Sequence, residues 1–248
     1  MRKGRLLTTH LTGTGEAVAL PIMVKLRDEG KTSDTLIVNI KPKTSINLGS
    51  YENLDTTLHY EVCQRDAVEV SRRLSGAGCY WAPKGGMASS IITTSDVLPS
   101  MDEGERIWTG EVLMELHRRL GIQGLWYKHP GDLKVGERKL VGTSVMTHGN
   151  AIAVMAPLNR LKVPTIFFSD YLIYPEEKAK DKMLKDMTQY IASIETDAPR
   201  LASEDEIIKL VVEVSSERLG VEWEPGDLNE AERRLIEEET KKQTSEDW

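Results

Sequence analysis

The chain has 248 residues, of which 40% are hydrophobic and 29% are charged, and its formal net charge is -7. This composition is typical of a folded globular protein, because disordered chains are poorer in apolar residues and membrane-spanning helices need about 20 consecutive apolar residues. The negative charge excludes a general nucleic-acid binder, which requires a basic face against the phosphates. The first residues lack the apolar stretch of a secretory signal, so we expect a cytoplasmic protein.

The first hundred residues predict helices and short strands in alternation. A helix is predicted over 16–29, where Pro21 interrupts or begins it, and a second helix over 56–65. The segments predicted as strands are 35–41, 45–51, 67–73 and 87–95. Strand 67–73 leads directly into a stretch with glycines at 76 and 78.

The second hundred residues continue this alternation. Apolar residues at helical intervals predict a long helix over 102–120, and Gly121 is placed to end it. The turn-rich segment 129–137 is flanked by predicted strands. These strands are 122–128, 138–145 and 150–155. The pattern predicts an α/β fold in which helices flank a mixed or antiparallel sheet.

The C-terminal residues differ in composition from the rest of the chain. Ser203 and Glu206 form a capping-box pair that opens a helix, and Gly220 is placed to end it after Leu219. The strongly charged segment 227–243 predicts a further helix. We therefore predict a main domain over 1–199 and a helical segment over 200–248, which is either docked or a small accessory unit.

Residues 72–78 combine two arginines with a glycine-rich loop. Gly76 and Gly78 permit positive φ angles and close approach of the backbone to a ligand, so exposed amides beside cationic side chains can hold a phosphate or carboxylate. Strand alternation predicts that Arg72 and Arg73 point in opposite directions, one of them inward. The alternative is a tight turn with two solvated arginines.

A second constellation lies in the hairpin that follows Asp132. Lys139 stands three residues before Gly142, and the glycine is followed by the hydroxyl residues Thr143 and Ser144. An ammonium group in this setting suits a carboxylate or phosphate, where it offsets the charge that develops in acyl transfer. The alternative is a surface lysine on an edge strand.

Segments 47–81 and 131–144 together resemble the lipoate-protein ligase A branch of the biotin/lipoate ligase and octanoyltransferase superfamily. The resemblance implies a biotin/lipoate ligase-like fold and the activation of lipoate or octanoate by ATP to an acyl-adenylate. It further implies transfer of the acyl group to a lysine of a lipoyl carrier domain, with an accessory subunit as a possible partner. Neither a nucleic-acid nor a membrane partner is expected.

The resemblance also implies roles for individual residues. Lys139 is the expected catalytic residue, and Asp132 is expected to contact Mg2+ or the nucleotide. The residues expected to bind substrate or nucleotide are Arg72, Arg73, Ser75, Gly76, Ala77, Gly78, Asp132, Gly142, Thr143 and His148. For His148, a purely structural role is the alternative.

Three motif residues depart from the family pattern, the asparagine that usually follows the glycine loop is missing, and segment 143–148 is a few residues shorter than in the family. Glu52 replaces a glutamine, Ala77 replaces the middle glycine of a triplet, and Gly131 stands where an asparagine usually precedes Asp132. These departures keep two alternatives open. One is an ATP-independent transferase that takes its acyl group from a carrier protein, and the other is a non-catalytic acyl-binding relative.

Thiols and aromatic residues near the motifs have candidate roles of their own. Cysteine acyltransferases occur in the superfamily, but the family usually has a small apolar residue, and not its nucleophile, at the position of Cys79, so a non-catalytic role is expected there and an acyl-carrying thiol is the alternative. The position of Cys63 in a helix predicts a core residue. Trp81, Trp126 and Tyr127 are expected either to line an acyl tunnel or to belong to the core.

Overall fold

A six-stranded mixed sheet lies at the centre of the fold, and its strand order is β10-β11-β6-β2-β1-β12. The computed structural model describes residues 2–76, 78–173 and 190–245. Two three-stranded sheets, β4-β3-β5 and β7-β8-β9, stand beside it. The strands are β1 (Arg2–Thr9), β2 (Thr35–Ile40), β3 (Ser45–Leu48), β4 (Glu69–Arg72), β5 (Cys79–Ala82), β6 (Met87–Thr94), β7 (Leu125–Lys128), β8 (Asp132–Val135), β9 (Arg138–Gly142), β10 (Ser144–His148), β11 (Ala151–Pro157) and β12 (Val221–Pro225).

Helices cover both faces of the central sheet and place its middle strands in the core. The helices are α1 (Gly13–Asp28), α2 (Leu54–Thr57), α3 (Tyr60–Arg65), α4 (Met101–Ile107), α5 (Met114–Arg119), α6 (Ile194–Asp197), α7 (Glu204–Leu219) and α8 (Glu230–Ser245), together with π-helical segments at Trp108–Leu113 and Phe167–Tyr171. Every residue of β2 and β6 is buried, as strands covered on both faces require. The predicted mixed α/β class is confirmed.

The long helix predicted over 102–120 exists, with a π-helical segment in its middle. Ser100 caps its first turn by accepting a hydrogen bond from the amide of Glu103 at 3.2 Å. Trp108 in the π-helical segment is fully buried, and it packs in the large core cluster with Leu113 and Leu116. None of the helices within the described residues is long and apolar enough to cross a bilayer.

Several predicted boundaries were wrong because tertiary contacts overrode the local pattern. The helix predicted over 56–65 is split, since Leu58 adopts an extended conformation and forms a β-bridge with Leu172. The strand predicted over 138–145 is also split, and its halves β9 and β10 belong to different sheets. The turn-rich segment 129–137 contains β8, and strands β1 and β12 were not predicted.

The C-terminal residues return to the central sheet. Helix α7 begins after Ser203, which accepts from the amide of Glu206, and ends at Gly220 in the left-handed conformation, as predicted. Strand β12 then pairs in parallel with β1, and α8 packs against α1. The proposed division near residue 199 stays a prediction, although β12 shares a sheet with the first strand.

A buried ion pair anchors α8 to β1. Both carboxylate oxygens of Glu232 accept from the guanidinium of Arg5, at 2.7 and 2.9 Å, and they also accept from the hydroxyl of Thr32 and the amide of Asn229. Glu232 is fully buried. Burial favours the neutral acid, but together these hydrogen bonds hold the pKa of Glu232 below its ordinary value.

Glu232→Gln is expected to lower the free energy of unfolding by about 2 kcal/mol at neutral pH, because a buried charge-assisted pair is lost. The exposed neighbour Glu230 provides the matched control, and Glu230→Gln should change stability little. Since the folded-state pKa of Glu232 is depressed, its contribution is present above the unfolded pKa of about 4.3 and is lost as the pH falls through the folded pKa. Urea unfolding at several pH values should therefore show the difference between wild type and Glu232→Gln shrinking below about pH 4.

Candidate active site

The glycine loop that follows β4 is attached to the turn that follows β3. The amide of Gly49 donates to the carbonyl of Gly78 at 2.7 Å, and the amide of Ser50 donates to the carbonyl of Gly76 at 3.1 Å. Gly76 and Gly78 both have positive φ angles, 68° and 73°, as glycine permits. Stretches 49–52 and 72–78, which both lie in the segment that carries the family resemblance, are therefore in direct contact.

The two adjacent arginines differ in burial, since Arg73 is buried and Arg72 is only partly buried. Arg72 reaches back to the turn and donates to the carbonyls of Gly49 and Glu52, at 3.1 and 2.6 Å. Arg73 is only 9% exposed and donates to Asn47 and to the carbonyl of Gly78. Arg72 thus holds the turn in place, while Arg73 presents a buried guanidinium beneath the loop.

The hairpin of β8 and β9 places an ammonium group against a carboxylate. Lys139 Nζ lies 2.6 Å from Oδ1 of Asp132, and the side chain of Lys139 is 46% exposed. A β-bulge shifts the register between Leu133 and Lys134, opposite Lys139. A side chain at Gly142 would come within 2.6 Å of Lys139 Nζ, so the glycine leaves the space that the lysine occupies.

A hydroxyl group supports the backbone just before Asp132. Thr143 Oγ1 donates to the carbonyl of Gly131 at 2.7 Å and accepts from the hydroxyl of Thr109 at 3.1 Å. Gly131 has a φ angle of 64°, and a Cβ atom there would lie 2.3 Å from Thr143 Oγ1. Thr143 therefore occupies the space that a side chain at position 131 would need. Its hydrogen bond also fixes the backbone just before Asp132.

The glycine loop and the lysine hairpin meet at the rim of one cavity. Ser75 Oγ donates to Ser144 Oγ at 3.3 Å, which joins the loop to the first residue of β10. Arg73 and Lys139 both line the cavity, whose volume is about 340 Å³. The full lining is Arg73, Cys79, Tyr80, Trp81, Lys139, Gly142, Thr143, Ser144, Met155, Pro157, Asn159, Val163, Phe167, Phe168, Leu172 and Ile191.

The cavity has a polar rim and an apolar interior. Its cations and hydroxyls come from the loop and the hairpin, whereas the π-helical segment and β5 contribute aromatic rings. Trp81 packs against Phe167 and Tyr171 with ring centroids 5.5 Å apart in both pairs. A ligand with a charged or polar head and an apolar tail matches this division, and the volume suits a small molecule.

Burial determines the protonation of the side chains around the cavity. Burial raises the pKa of the Cys79 thiol to about 11, so the thiolate needed for a nucleophile is scarce at neutral pH. Burial likewise raises the pKa of Tyr80 to about 12, and its phenol donates to Glu16 at 3.4 Å. Burial also lowers the pKa of Arg73, yet an arginine stays charged at neutral pH.

Cys63 is fully buried in the aromatic core cluster beside Trp81 and Phe167, in agreement with the predicted core position. Burial raises the pKa of this thiol to about 11 as well. Neither cysteine has the lowered pKa that is typical of a catalytic thiol.

Some residues that were predicted to bind substrate or to line an acyl tunnel do not line the cavity. His148 is exposed at the far end of β10, about 13 Å along the strand from Ser144, and pairs with Ala151. Trp126 is exposed beneath Lys134, and Tyr127 accepts a hydrogen bond from the amide of Gly131 without lining the cavity. Ala77 lies outside the described residues.

Much of the apolar wall of the cavity consists of residues that were not predicted from the sequence. Phe167, Phe168 and Leu172 come from a segment to which no element or role was assigned, and Ile191 and Asn159 come from segments without a motif. The adjacent phenylalanines at 167 and 168, which are the two phenylalanines of the chain, were the available signal. Their packing against β5 depends on a long-range contact that local patterns do not reveal.

Comparison with known proteins gives consistent matches. The matching family model is the lipoyl protein ligase A/B catalytic domain, over residues 21–215. A curated relative, lipoate-protein ligase A subunit 1 of Thermoplasma acidophilum, is 24% identical over 220 residues, or 82% of this chain and 80% of the relative.

Two solved structures share the fold over almost the whole chain. One belongs to a bi-partite lipoate protein ligase and its E2 lipoyl domain from T. acidophilum, with a TM-score of 0.83, 20% identity and coverage of 98% of this chain and 93% of that one. The other is a lipoate-protein ligase A bound with ATP, with a TM-score of 0.81, 18% identity and coverage of 99% and 98%. The expected biotin/lipoate ligase-like fold is confirmed.

Proposed function

The chain belongs to the lipoyl protein ligase A/B catalytic domain family, and from this premise we propose that it activates lipoate or octanoate and transfers the acyl group to a lysine of a lipoyl carrier domain. The observation that carries the proposal is the cavity in which Arg73 and Lys139 stand at the rim of an apolar interior. A medium-length acyl acid has the same division between a polar head and an apolar tail.

The acyl tail would supply binding energy, and the charged residues at the rim of the cavity would act on the carboxyl end. Each methylene group removed from water contributes about 0.8 kcal/mol, so an octanoyl chain among Trp81, Phe167 and Phe168 would be held firmly. The carboxyl end would then lie near Lys139 and Arg73. Lys139 would stabilise negative charge that develops on the acyl oxygen or phosphate, and Asp132 would orient its ammonium group.

We propose ATP as the activating co-substrate, supported by the ATP-bound relative of the same fold. The acyl carboxylate would attack the α-phosphate with loss of pyrophosphate, and the carrier lysine would then displace AMP from the acyl carbon. The residues that face this exchange are Lys139, Arg73 and the 75–78 loop, whose amides suit anionic oxygens. The support for this arrangement is that Arg73 and Lys139 both line the cavity.

A magnesium ion is compatible with the carboxylates near Lys139. Magnesium is commonly held by one or two carboxylates together with substrate phosphates. The carboxyl group of Glu105 lies close to the residue before Asp132, since a Cβ atom at Gly131 would be 3.3 Å from it. Burial, followed by the charge of Asp102, raises the pKa of Glu105. Asp132 would hold the ion, which would neutralise phosphate charge when bound.

We propose a second polypeptide as a partner of this chain. The support is that the T. acidophilum relative is named as subunit 1 and that the ligase of similar fold is bi-partite. A lipoyl carrier domain is the proposed acceptor, and the structure of that ligase also includes an E2 lipoyl domain.

Transfer to a carrier domain tests the proposal directly. The chain, alone and with a candidate partner subunit, would be incubated with ATP, Mg2+, lipoate or octanoate, and an apo lipoyl domain. Mass spectrometry should show one acyl group added to the carrier. The absence of acylation both with free acid and ATP and with an octanoyl carrier protein would contradict the proposed function.

Filling the apolar part of the cavity should weaken this reaction. Val163→Trp places a large ring on the partly exposed wall, and we expect the KM for octanoate to rise about tenfold or more as favourable methylene contacts are lost. The matched control is Ile166→Trp, on an exposed residue of the same segment that does not line the cavity. Equal KM values for the two variants would show that the acyl tail lies elsewhere.

A further inference from the structure

The strand that carries Lys139 contains one residue that its neighbouring strand leaves unpaired. Two successive residues of β8, Leu133 and Lys134, pair with Val141 and Lys139 of β9, so the register skips Leu140. An extra residue of this kind forms a β-bulge, which bends its strand and changes the direction of the neighbouring side chains. The conformation at Leu140 therefore contributes to the direction in which Lys139 points.

An asparagine from outside this sheet holds the bulge. Nδ2 of Asn159 donates to the carbonyl of Leu140 at 2.5 Å, and the amide of Ala192 donates to the preceding carbonyl, that of Lys139, at 2.9 Å. Leu140 is fully buried, and a buried carbonyl without a hydrogen bond is costly. Strand β9 lies at the edge of its three-stranded sheet, and these two bonds fix it from outside that sheet.

Asn159 is itself held in place at the wall of the cavity. It lies two residues after the end of β11, and its φ angle of 40° falls in the left-handed region, which asparagine enters more readily than most residues other than glycine. Its carbonyl accepts from the amide of Ile194 at 2.9 Å. Asn159 and Lys139 both line the cavity, so the asparagine connects the end of β11 to the lysine strand at the site itself.

We propose that Asn159 is a positioning residue, which fixes the bulge at Leu140 and thereby holds the ammonium group of Lys139 in the direction that the reaction needs. Asn159 acts here through Lys139 and supplies no charge of its own. A displacement of about 1 Å in a group that acts on the reacting atoms can cost about 10²-fold in rate. This inference rests on the proposed function, because it assumes that Lys139 acts on the acyl carboxyl group or the phosphate.

Two substitutions remove the hydrogen-bond donor in different ways. Asn159→Gly keeps the left-handed backbone and removes the side chain. Asn159→Asp keeps the shape of the side chain and tolerates the same backbone, but it offers the carbonyl of Leu140 no donor. The matched control is Asn150→Asp, which makes the same change on an exposed asparagine that does not line the cavity.

Each substitution would be made in the wild-type chain and in Lys139→Ala. Single-turnover transfer of the acyl group to the lipoyl domain would be measured at saturating octanoate and ATP, over times long enough to follow the slow Lys139→Ala reaction. The KM for octanoate would be measured alongside, and circular dichroism would give the folded fraction of every protein.

Both Asn159 variants should slow single-turnover transfer about 10- to 100-fold in the wild-type background and change the KM for octanoate less than about threefold. In the Lys139→Ala background the same substitutions should change the rate less than about threefold, because the group that Asn159 positions is absent. Asn150→Asp should keep the rate of its parent in both backgrounds.

The outcomes that overturn the inference differ from those that overturn the proposed function. A loss that persists in full in the Lys139→Ala background would make Asn159 a general structural residue or a ligand contact. Slow transfer by Asn159→Asp together with a wild-type rate for Asn159→Gly would assign the effect to the added charge. Either result, or wild-type rates for both variants, would overturn the inference while the wild-type chain still acylates the carrier. A wild-type chain that transfers no acyl group would contradict the proposed function, and the inference with it.

Discussion

Lys139→Ala is expected to reduce the rate of acyl transfer by about 10²–10³-fold, because it removes the cation placed to stabilise charge in the transition state. The side chain is 46% exposed and lies outside the core clusters, so the fold should remain intact. Single-turnover transfer to the lipoyl domain, measured at saturating acid and ATP, reports the loss in the chemical steps.

The control for this variant is a lysine far from the cavity. Lys209 on α7 is 75% exposed and pairs with Glu213 along the same helix, so Lys209→Ala should keep the wild-type rate. Lys139→Arg should recover only part of the activity, because the space over Gly142 is shaped for an ammonium group on a straight chain. A Lys139→Ala enzyme with an undiminished rate would remove Lys139 from the mechanism and leave a binding protein as the better description.

Gly131→Ala is expected to lower the free energy of unfolding by about 3 kcal/mol and to impair transfer as well. The left-handed backbone at this residue costs an alanine about 1–2 kcal/mol. In addition, the new Cβ would lie 2.3 Å from Thr143 Oγ1, which forces apart the hydrogen bond between Thr143 and the carbonyl of Gly131. Chemical denaturation and the transfer assay would measure the two losses.

A substitution at Gly136 in the same hairpin separates the cost of backbone strain from the cost of the steric clash with Thr143. It has a similar φ angle of 55°, but a Cβ there meets no atom within 4 Å, so Gly136→Ala should cost only the backbone term. In a Thr143→Ala background the cost of Gly131→Ala should fall most of the way to that of Gly136→Ala, because only the 3.3 Å approach of the new Cβ to the Glu105 carboxyl group remains. If the two substitutions were additive, with no coupling between positions 131 and 143, Thr143 would not be the reason for the glycine.

This geometry accounts for one departure from the family pattern. Where the family pattern has an asparagine before Asp132, glycine fits in this chain, because a side chain at position 131 would collide with the hydroxyl of Thr143. The departure at Glu52 has a different result, since its carboxylate accepts from the amide of Gly78 and alters the charge of the rim. The pattern of motifs alone could not separate a compensated substitution from one that changes the site.

The sequence by itself determined the elements whose signals are local. Helix α7 follows from its cap at Ser203 and its left-handed stop at Gly220, and the glycine loop follows from residues that must adopt positive φ angles. The motifs predicted Arg72, Arg73 and Lys139 as cations of one site, through a resemblance that depends on their order along the chain, and the structure places Arg73 and Lys139 in the lining of one cavity.

The tertiary structure alone decided how the site is enclosed. The edge strand β12 pairs in parallel with β1 across more than 200 residues of chain, and the wall at Phe167 and Phe168 packs on β5 from a distant segment. His148, which the resemblance implied as a residue that binds substrate or nucleotide, lies at the end of β10 away from Ser144. Contacts of this kind depend on which apolar surfaces meet after the chain has closed long loops. No periodic pattern of residues in the sequence indicates which distant surfaces these will be.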